Sequence, residues 1–128
     1  KTGEGQQKAG SERGLALEPQ SSVTAPETAK LVTDKLIHVF EDNSLKNSVV
    51  PSYDMAGKTS TADLPTAAGY TSGVTYASQV GFAPVPDPKF SLLVRIDGAE
   101  KLYGGQVAAP VFKTIMEQQF VYTKLPPT

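Results

Sequence analysis

The sequence predicts an α+β fold, in which an antiparallel β-sheet carries helices packed on one face. Two observations predict this class. Apolar residues recur at helical spacing at the two ends of the folded part, and they alternate with polar residues over segments between those ends. The resulting order of helix, three strands and helix favours consecutive antiparallel strands, and the chain has no internal repeat.

The first predicted helix begins after Thr24 and ends around residues 41–43. Thr24 and Glu27 have the spacing of a capping box, and a proline such as Pro26 is tolerated in a first helical turn. We interpret the apolar stripe of this helix as facing the core. The stripe consists of Ala29, Val32, Leu36, Val39 and Phe40.

Three segments predict β-strands. The first covers residues 52–61, and Gly57 inside it weakens the strand pattern. The second covers residues 74–82 and the third residues 90–96. In both, apolar and polar residues alternate, which indicates buried or half-buried strands. Residues 83–88 contain three prolines, which end the second strand and favour an antiparallel hairpin.

A last helix is predicted from about Val107 to Val121, with Pro110 in its first turn. Gly104 and Gly105 precede it and are interpreted as a turn. The apolar residues at helical spacing are Val111, Ile115 and Met116.

The chain divides into two regions by composition. Residues 1–22 are rich in small and polar residues and are predicted to be a flexible arm or linker, with one short apolar patch at residues 15–17. Residues 23–128 form the folded part. Because the sequence begins with Lys1 and not with methionine, we interpret it as an excised, processed or truncated product.

The composition excludes several functions. With 12 basic and 13 acidic residues the formal net charge is −1, which argues against binding to nucleic acids or anionic membranes. The absence of cysteine excludes disulfides, thiolate nucleophiles and cysteine-ligated metals. His38 is the only histidine and is interpreted as packed or half exposed, so no metal ion or cofactor is predicted.

The first predicted strand carries the chemistry in four consecutive residues, Lys58, Thr59, Ser60 and Thr61. A lysine ammonium supplies positive potential near an anionic carboxylate, and neighbouring hydroxyls can form hydrogen bonds with that carboxylate. If the strand is regular, Lys58 and Ser60 lie on one face and the two threonines on the other.

Four ordered segments carry a resemblance to a known family. Residues 56–62 read Ala-Gly-Lys-Thr-Ser-Thr-Ala and resemble the KTG box of penicillin-binding proteins. Residues 25–29, 77–84 and 103–112 resemble further segments of the same family in the same order. Over residues 24–128 the chain resembles the C-terminal part of a class B penicillin-binding protein transpeptidase domain, which has the penicillin-binding protein/serine β-lactamase-like fold.

The resemblance implies roles for the four motif residues. Lys58 and Thr59 correspond to the motif lysine and its hydroxyl partner and are the expected catalytic residues. Thr61 matches a second threonine that helps to bind the substrate carboxylate, with the oxyanion-hole amide nearby. Ser60 stands where the family usually has glycine and places a side chain beside the expected groove. All four are expected to bind substrate.

The two other family motifs are absent from this chain. No serine begins a Ser-x-x-Lys or a Ser-x-Asn sequence. Without the nucleophile there is no acylation, so we predict a C-terminal portion that is inactive alone. The intact parent is expected to be a D,D-transpeptidase that cross-links peptidoglycan stem peptides through an acyl-serine intermediate. Its expected ligands are those peptides and β-lactams, and its expected location is the extracytoplasmic face of a bacterial cell membrane, through an anchor outside this chain.

Two alternative functions remain open from the sequence. One is a non-catalytic module of the same fold that binds penicillin or a cell-wall peptide, which Ser60 favours. The other is a folded or domain-swapped fragment without a function of its own. By the resemblance, residues 90–96 pair with a strand from the missing N-terminal part. We therefore expect this edge to pair with another chain, with residues 15–17, or with a co-purified fragment.

Overall fold

The computed structural model describes residues 22–41, 45–100 and 103–128. The predicted arm and its apolar patch at residues 15–17 lie outside the described residues, apart from Ser22. The elements are helix α1 (Pro26–Glu41), strands β1 (Ala56–Thr66), β2 (Gly69–Ala83) and β3 (Phe90–Glu100), and helix α2 (Gly104–Thr123). The predicted order of helix, three strands and helix is confirmed.

The three strands form one antiparallel sheet in the order β1-β2-β3. The register places Lys58 of β1 opposite Val80 of β2, and Val80 opposite Leu93 of β3. Strands β1 and β3 are therefore the two edges of the sheet. Within the described part of the chain, neither pairs with a further strand on its outer side.

Several predicted boundaries are wrong. Strand β1 ends at Thr66 and not at residue 61, β2 begins at Gly69 and not at residue 74, and β3 ends at Glu100 and not at residue 96. Strand β1 begins at Ala56 and not at residue 52, because the chain turns just before it and Ser52 has a φ of 69°. Helix α2 begins at Gly104 and not near Val107. The glycines that we interpreted as a turn form the first turn of the helix, because this turn packs directly against the backbone of the sheet.

Gly104 makes this close packing possible. A Cβ atom at Gly104 would lie 2.6 Å from the carbonyl oxygen of Ser78 and 2.7 Å from that of Ser60, closer than Cβ atoms approach such groups. The turn before β1 also holds the start of the helix, since Asn47 Nδ2 donates to the carbonyl oxygen of Gly105 at 3.2 Å. Only glycine allows α2 to start against the strand pair.

The core lies between the sheet and the two helices. A Cβ atom at Gly57 would lie 2.9 Å from the Phe40 ring, and one at Gly81 would lie 2.7 Å from the Phe112 ring. The two rings fill the space that these glycines leave, with their centroids 6.2 Å apart. The other buried members of this core are Leu45, Val50, Met55, Ala83, Val94, Ala108, Met116 and Phe120.

Only the C-terminal end of α1 reaches this core. Phe40 is 7% exposed, but Leu31 and Val32 are 59% and 51% exposed. Leu36 and Val39 are half-buried. The predicted core-facing stripe is therefore wrong for the N-terminal half of the helix, where the apolar side chains face outward.

The C-terminal residues return to the segment that leads into β1. Tyr53 stacks on Phe120 with a centroid distance of 3.9 Å, and its hydroxyl donates to the carbonyl oxygen of Leu125 at 2.8 Å. The amide of Thr128 donates to Ser52 O at 3.0 Å. These contacts fix the entry to the motif strand.

Within the described ranges, neither helix has the length and apolar content that crossing a membrane requires.

Phe112→Ala should lower the free energy of unfolding by about 3–5 kcal/mol, because it empties the space between α2 and Gly81. Urea denaturation would measure this loss. Val121→Ala on the same helix is the control, since Val121 is 79% exposed and its truncation should change stability by no more than about 0.5 kcal/mol. Equal losses for the two variants would contradict the core described above.

Candidate functional site

The four motif residues lie on the edge strand β1, two on each face of the sheet. Gly57 faces Phe40 of α1, and Thr61 contacts α2, so Thr59 and Thr61 point to the face that carries the helices. Lys58 and Ser60 point to the opposite, open face. Lys58, Ser60 and Thr61 are exposed, and Thr59 is half-buried. The strand is regular until the register shift between Asp63 and Leu64.

The Lys58 ammonium is available to a ligand. Its Nζ atom donates to the carbonyl oxygen of Thr59 at 3.0 Å, which folds the side chain along the strand. Among the described residues, no carboxylate forms an ion pair with it. The charge is therefore not neutralised from within the described part of the chain, and it can act on an anion at the strand edge.

The Thr61 hydroxyl is held by the first turn of α2. The backbone amide of Gly104 donates to Thr61 Oγ1 at 3.1 Å. A hydroxyl that accepts a hydrogen bond still has its own hydrogen to donate. The start of this 20-residue helix also carries partial positive charge. Thr61 is thus placed to donate a hydrogen bond to an anion rather than to accept one.

A buried amide lies opposite Thr59. Thr59 pairs in register with Gln79 of β2, which is 0% exposed. Gln79 Oε1 accepts a hydrogen bond from the buried Ser48 hydroxyl at 2.7 Å, whereas Gln79 Nε2 has no hydrogen-bond partner among the described residues. A buried donor without a hydrogen-bond partner lowers the stability of the fold by about 1–3 kcal/mol.

The sequence pattern does not single out Gln79. The alternation along β2 separates Val80 and Phe82 from Gln79 and Gly81, but it is the second pair that faces the helices. The contact between Ser48 and Gln79 joins residues 31 positions apart, so no local pattern marks it.

The open face of the sheet has both apolar and charged residues. Val80 and Leu93 are 44% and 64% exposed and lie in one row with Lys58. In the neighbouring rows, the Arg95 guanidinium lies 4.1 Å from the centre of the Tyr76 ring and donates to Asp97 Oδ1 at 2.6 Å. Arg95 Nη2 also donates to Asp97 Oδ2, and the two hydrogen bonds to Asp97 raise the pKa of Arg95 above its ordinary value.

His38 is exposed and lies 2.7 Å from Glu41 Oε2 on α1. Across the described ranges, no three His, Cys, Asp or Glu side chains come together in a way that could hold a metal ion.

Comparison with known protein families identifies the chain. A family profile described as the penicillin binding protein transpeptidase domain matches residues 15–117. The chain belongs to this family. The matched range includes the motif strand, the whole sheet and most of α2. The recognition made from the four sequence segments is therefore confirmed.

A curated relative agrees with this assignment. The Pseudomonas aeruginosa protein described as a probable peptidoglycan D,D-transpeptidase PbpC is 34% identical over 115 residues. The alignment covers 85% of this chain and 20% of that protein. The chain thus spans about a fifth of the length of this transpeptidase relative.

Solved structures confirm the predicted fold. The apo TP domain of Burkholderia pseudomallei penicillin-binding protein 3 matches with a TM-score of 0.71 and 33% identity, over 81% of this chain and 32% of that one. Penicillin-binding protein 3 of Mycobacterium tuberculosis, complexed with ampicillin, also matches with a TM-score of 0.71. It is 24% identical and the match covers 87% of this chain and 28% of that chain, so it supports the fold alone.

Gly104→Ala should move the start of α2 away from β1 and β2, because the added methyl group meets the two backbone carbonyls. We expect the free energy of unfolding to fall by about 1–3 kcal/mol and the amide of residue 104 to lose its protection from hydrogen exchange. Thr61→Val is the matched variant, since it removes the acceptor and leaves the packing intact, at a cost of about 0.5–1.5 kcal/mol. If residue 104 kept full amide protection in Gly104→Ala, the close contact would be refuted.

Proposed function

We propose that this chain forms one wall of the active site of a penicillin-binding D,D-transpeptidase, which cross-links peptidoglycan stem peptides through an acyl-serine intermediate. The observation that carries the proposal is the arrangement on β1. An edge strand presents an unpaired ammonium at Lys58 and two adjacent threonine hydroxyls, one of which is held as a donor by α2.

This arrangement suits an extended peptide that ends in a carboxylate. A peptide can lie along the outer edge of β1 as an additional strand, because that edge has no partner among the described residues. The hydroxyls of Thr59 and Thr61 then bind the carboxylate by charge-assisted hydrogen bonds, and the Lys58 ammonium, which lies along the strand from the other face, adds positive charge beside them. A β-lactam carries an equivalent carboxylate and binds to the same groups.

The reaction needs a serine from outside this chain. Its hydroxyl attacks the peptide carbonyl, the C–N bond breaks, and the amine departs with a proton while the acyl group stays on the serine. A second stem-peptide amine then takes the acyl group and regenerates the hydroxyl. The backbone amide of Thr61 contributes to the oxyanion hole by stabilising the negative charge on the carbonyl oxygen.

The other edge of the sheet completes the domain. Strand β3 pairs with a strand from outside this chain, which removes its exposed edge. The parent works at the extracytoplasmic face of a bacterial cell membrane, where its peptidoglycan substrate is assembled, and is held by an anchor outside this chain.

A fluorescent penicillin should label a longer polypeptide that includes the residues preceding this chain, and it should not label this chain alone. Within the longer polypeptide, Lys58→Met should slow labelling about 10- to 100-fold, because a hydrogen bond to a charged group contributes about 1.5–3 kcal/mol.

Lys113→Met on α2 is the control and should leave the labelling rate unchanged, since Lys113 pairs with Glu117 on its own helix. The proposal fails if the longer polypeptide never reacts. It fails in part if the isolated chain reacts, because the nucleophile would then lie within it.

A second function, a binding module without turnover, is favoured by one observation. Ser60 adds a side chain beside Lys58 on the open face of β1. The preceding coding sequence separates the two functions, since a Ser-x-x-Lys followed by a Ser-x-Asn motif supports the enzyme.

Ser60→Gly gives a kinetic test between the two. For an enzyme, removing the side chain should raise the acylation rate by a few-fold, which corresponds to an activation free energy lower by about 1 kcal/mol or less. For a binding module, penicillin would bind reversibly in both forms and no acyl-protein would accumulate. Mass spectrometry of the protein after incubation with penicillin measures both outcomes.

A further inference from the structure

We propose that Gln79 is a positioning residue for Thr59, a role that rests on the proposed function. In the substrate complex its amide nitrogen donates to the Thr59 hydroxyl, while that hydroxyl donates to the substrate carboxylate. Gln79 does not touch the substrate.

The sheet places the two side chains side by side. Gly57 faces Phe40 of α1 and Gly81 faces Phe112 of α2, so both glycines point to the face that carries the helices. Thr59 lies two residues after Gly57, and Gln79 lies two residues before Gly81, which puts both on that same face. They are directly paired in register, and such pairs have Cβ atoms about 4.5–5.5 Å apart.

Ser48 fixes the direction of the amide. Its hydroxyl donates to Gln79 Oε1 at 2.7 Å, and both side chains are fully buried at 0% exposure. With the oxygen held by Ser48, the amide nitrogen is the end that remains to be satisfied, and it has no partner among the described residues. The half-buried Thr59 hydroxyl, on the facing strand, can accept a hydrogen bond after a change of rotamer.

This role makes the two motif threonines alike. Thr61 already accepts a hydrogen bond from the Gly104 amide behind it, which leaves its hydrogen free for a ligand. Gln79 does the same for Thr59. Each hydroxyl accepts from the protein and donates to the ligand, and hydrogen bonds in such a chain strengthen one another. The pair therefore selects an acceptor, a carboxylate, over a neutral carboxamide whose NH2 group needs an acceptor.

The test uses the full polypeptide that includes this chain and compares a penicillin with the same penicillin amidated at its carboxylate. For Gln79→Leu, the dissociation constant of the non-covalent penicillin complex should rise about tenfold, while the first-order acylation constant changes less than twofold. The preference for the carboxylate over the amide should fall by the same factor. Ser48→Ala should shift the preference in the same direction and by less, because it frees the amide to rotate.

Gln118→Leu is the matched control, since Gln118 is exposed on α2, and it should change neither constant. A loss that is equal for the carboxylate and the amidated ligand would show a structural role for Gln79 and overturn the inference. If Gln79→Leu does not fold, the result for Ser48→Ala decides: an unchanged preference overturns the inference.

A wild-type polypeptide that no penicillin acylates contradicts the proposed function. The inference is then decided by the dissociation constant of the non-covalent penicillin complex, measured as a double-mutant cycle of Gln79→Leu and Thr59→Val. A coupling of at least about threefold in this dissociation constant supports the contact. Additive effects, or no binding of penicillin to the wild-type polypeptide, overturn it.

Discussion

The close contact between the start of α2 and the backbone of β1 and β2 is the constraint on which the rest of the structure depends. It requires Gly104, and it sets both the position of the helix and the direction of the Thr61 hydroxyl. The buried face of α2 begins with small residues and continues with large ones. Its buried residues are Gly104, Ala108, Ala109, Phe112, Met116 and Phe120. One glycine thus links the packing of the core to the geometry of the motif strand.

The order and type of every element could be predicted from periodicity, but the orientation of β2 could not. Alternation separates the two faces of a strand without saying which face is covered. Here the covered face contains Gly81, because the ring of Phe112 fills the space in front of it. A small residue on the strand and a large one on the helix make a buried face look less apolar than the open face, where Val80 lies.

The motif residues could be found from the sequence because their chemistry and spacing are local. The groups that lie behind the motif residues could not be found in this way. The Gly104 amide reaches Thr61 across 43 positions, and a backbone donor has no side-chain pattern to read. The orientation of the Gln79 amide depends on Ser48, which lies 31 positions away in the sequence. Neither residue alone differs from an ordinary polar residue in the sequence. Sequence therefore indicates candidate ligand-binding groups more readily than the groups that lie behind them.

Residues 125–128 return to the segment before β1 and form hydrogen bonds with it. Tyr53 holds Leu125 by its hydroxyl, and Ser52 and Thr128 are joined through their backbones. The strand that carries Lys58 is consequently tethered at its entry by the opposite end of the chain. A mechanical load applied at Thr128 would therefore reach the segment before the motif strand through the hydrogen bond to Ser52, and not only through α2.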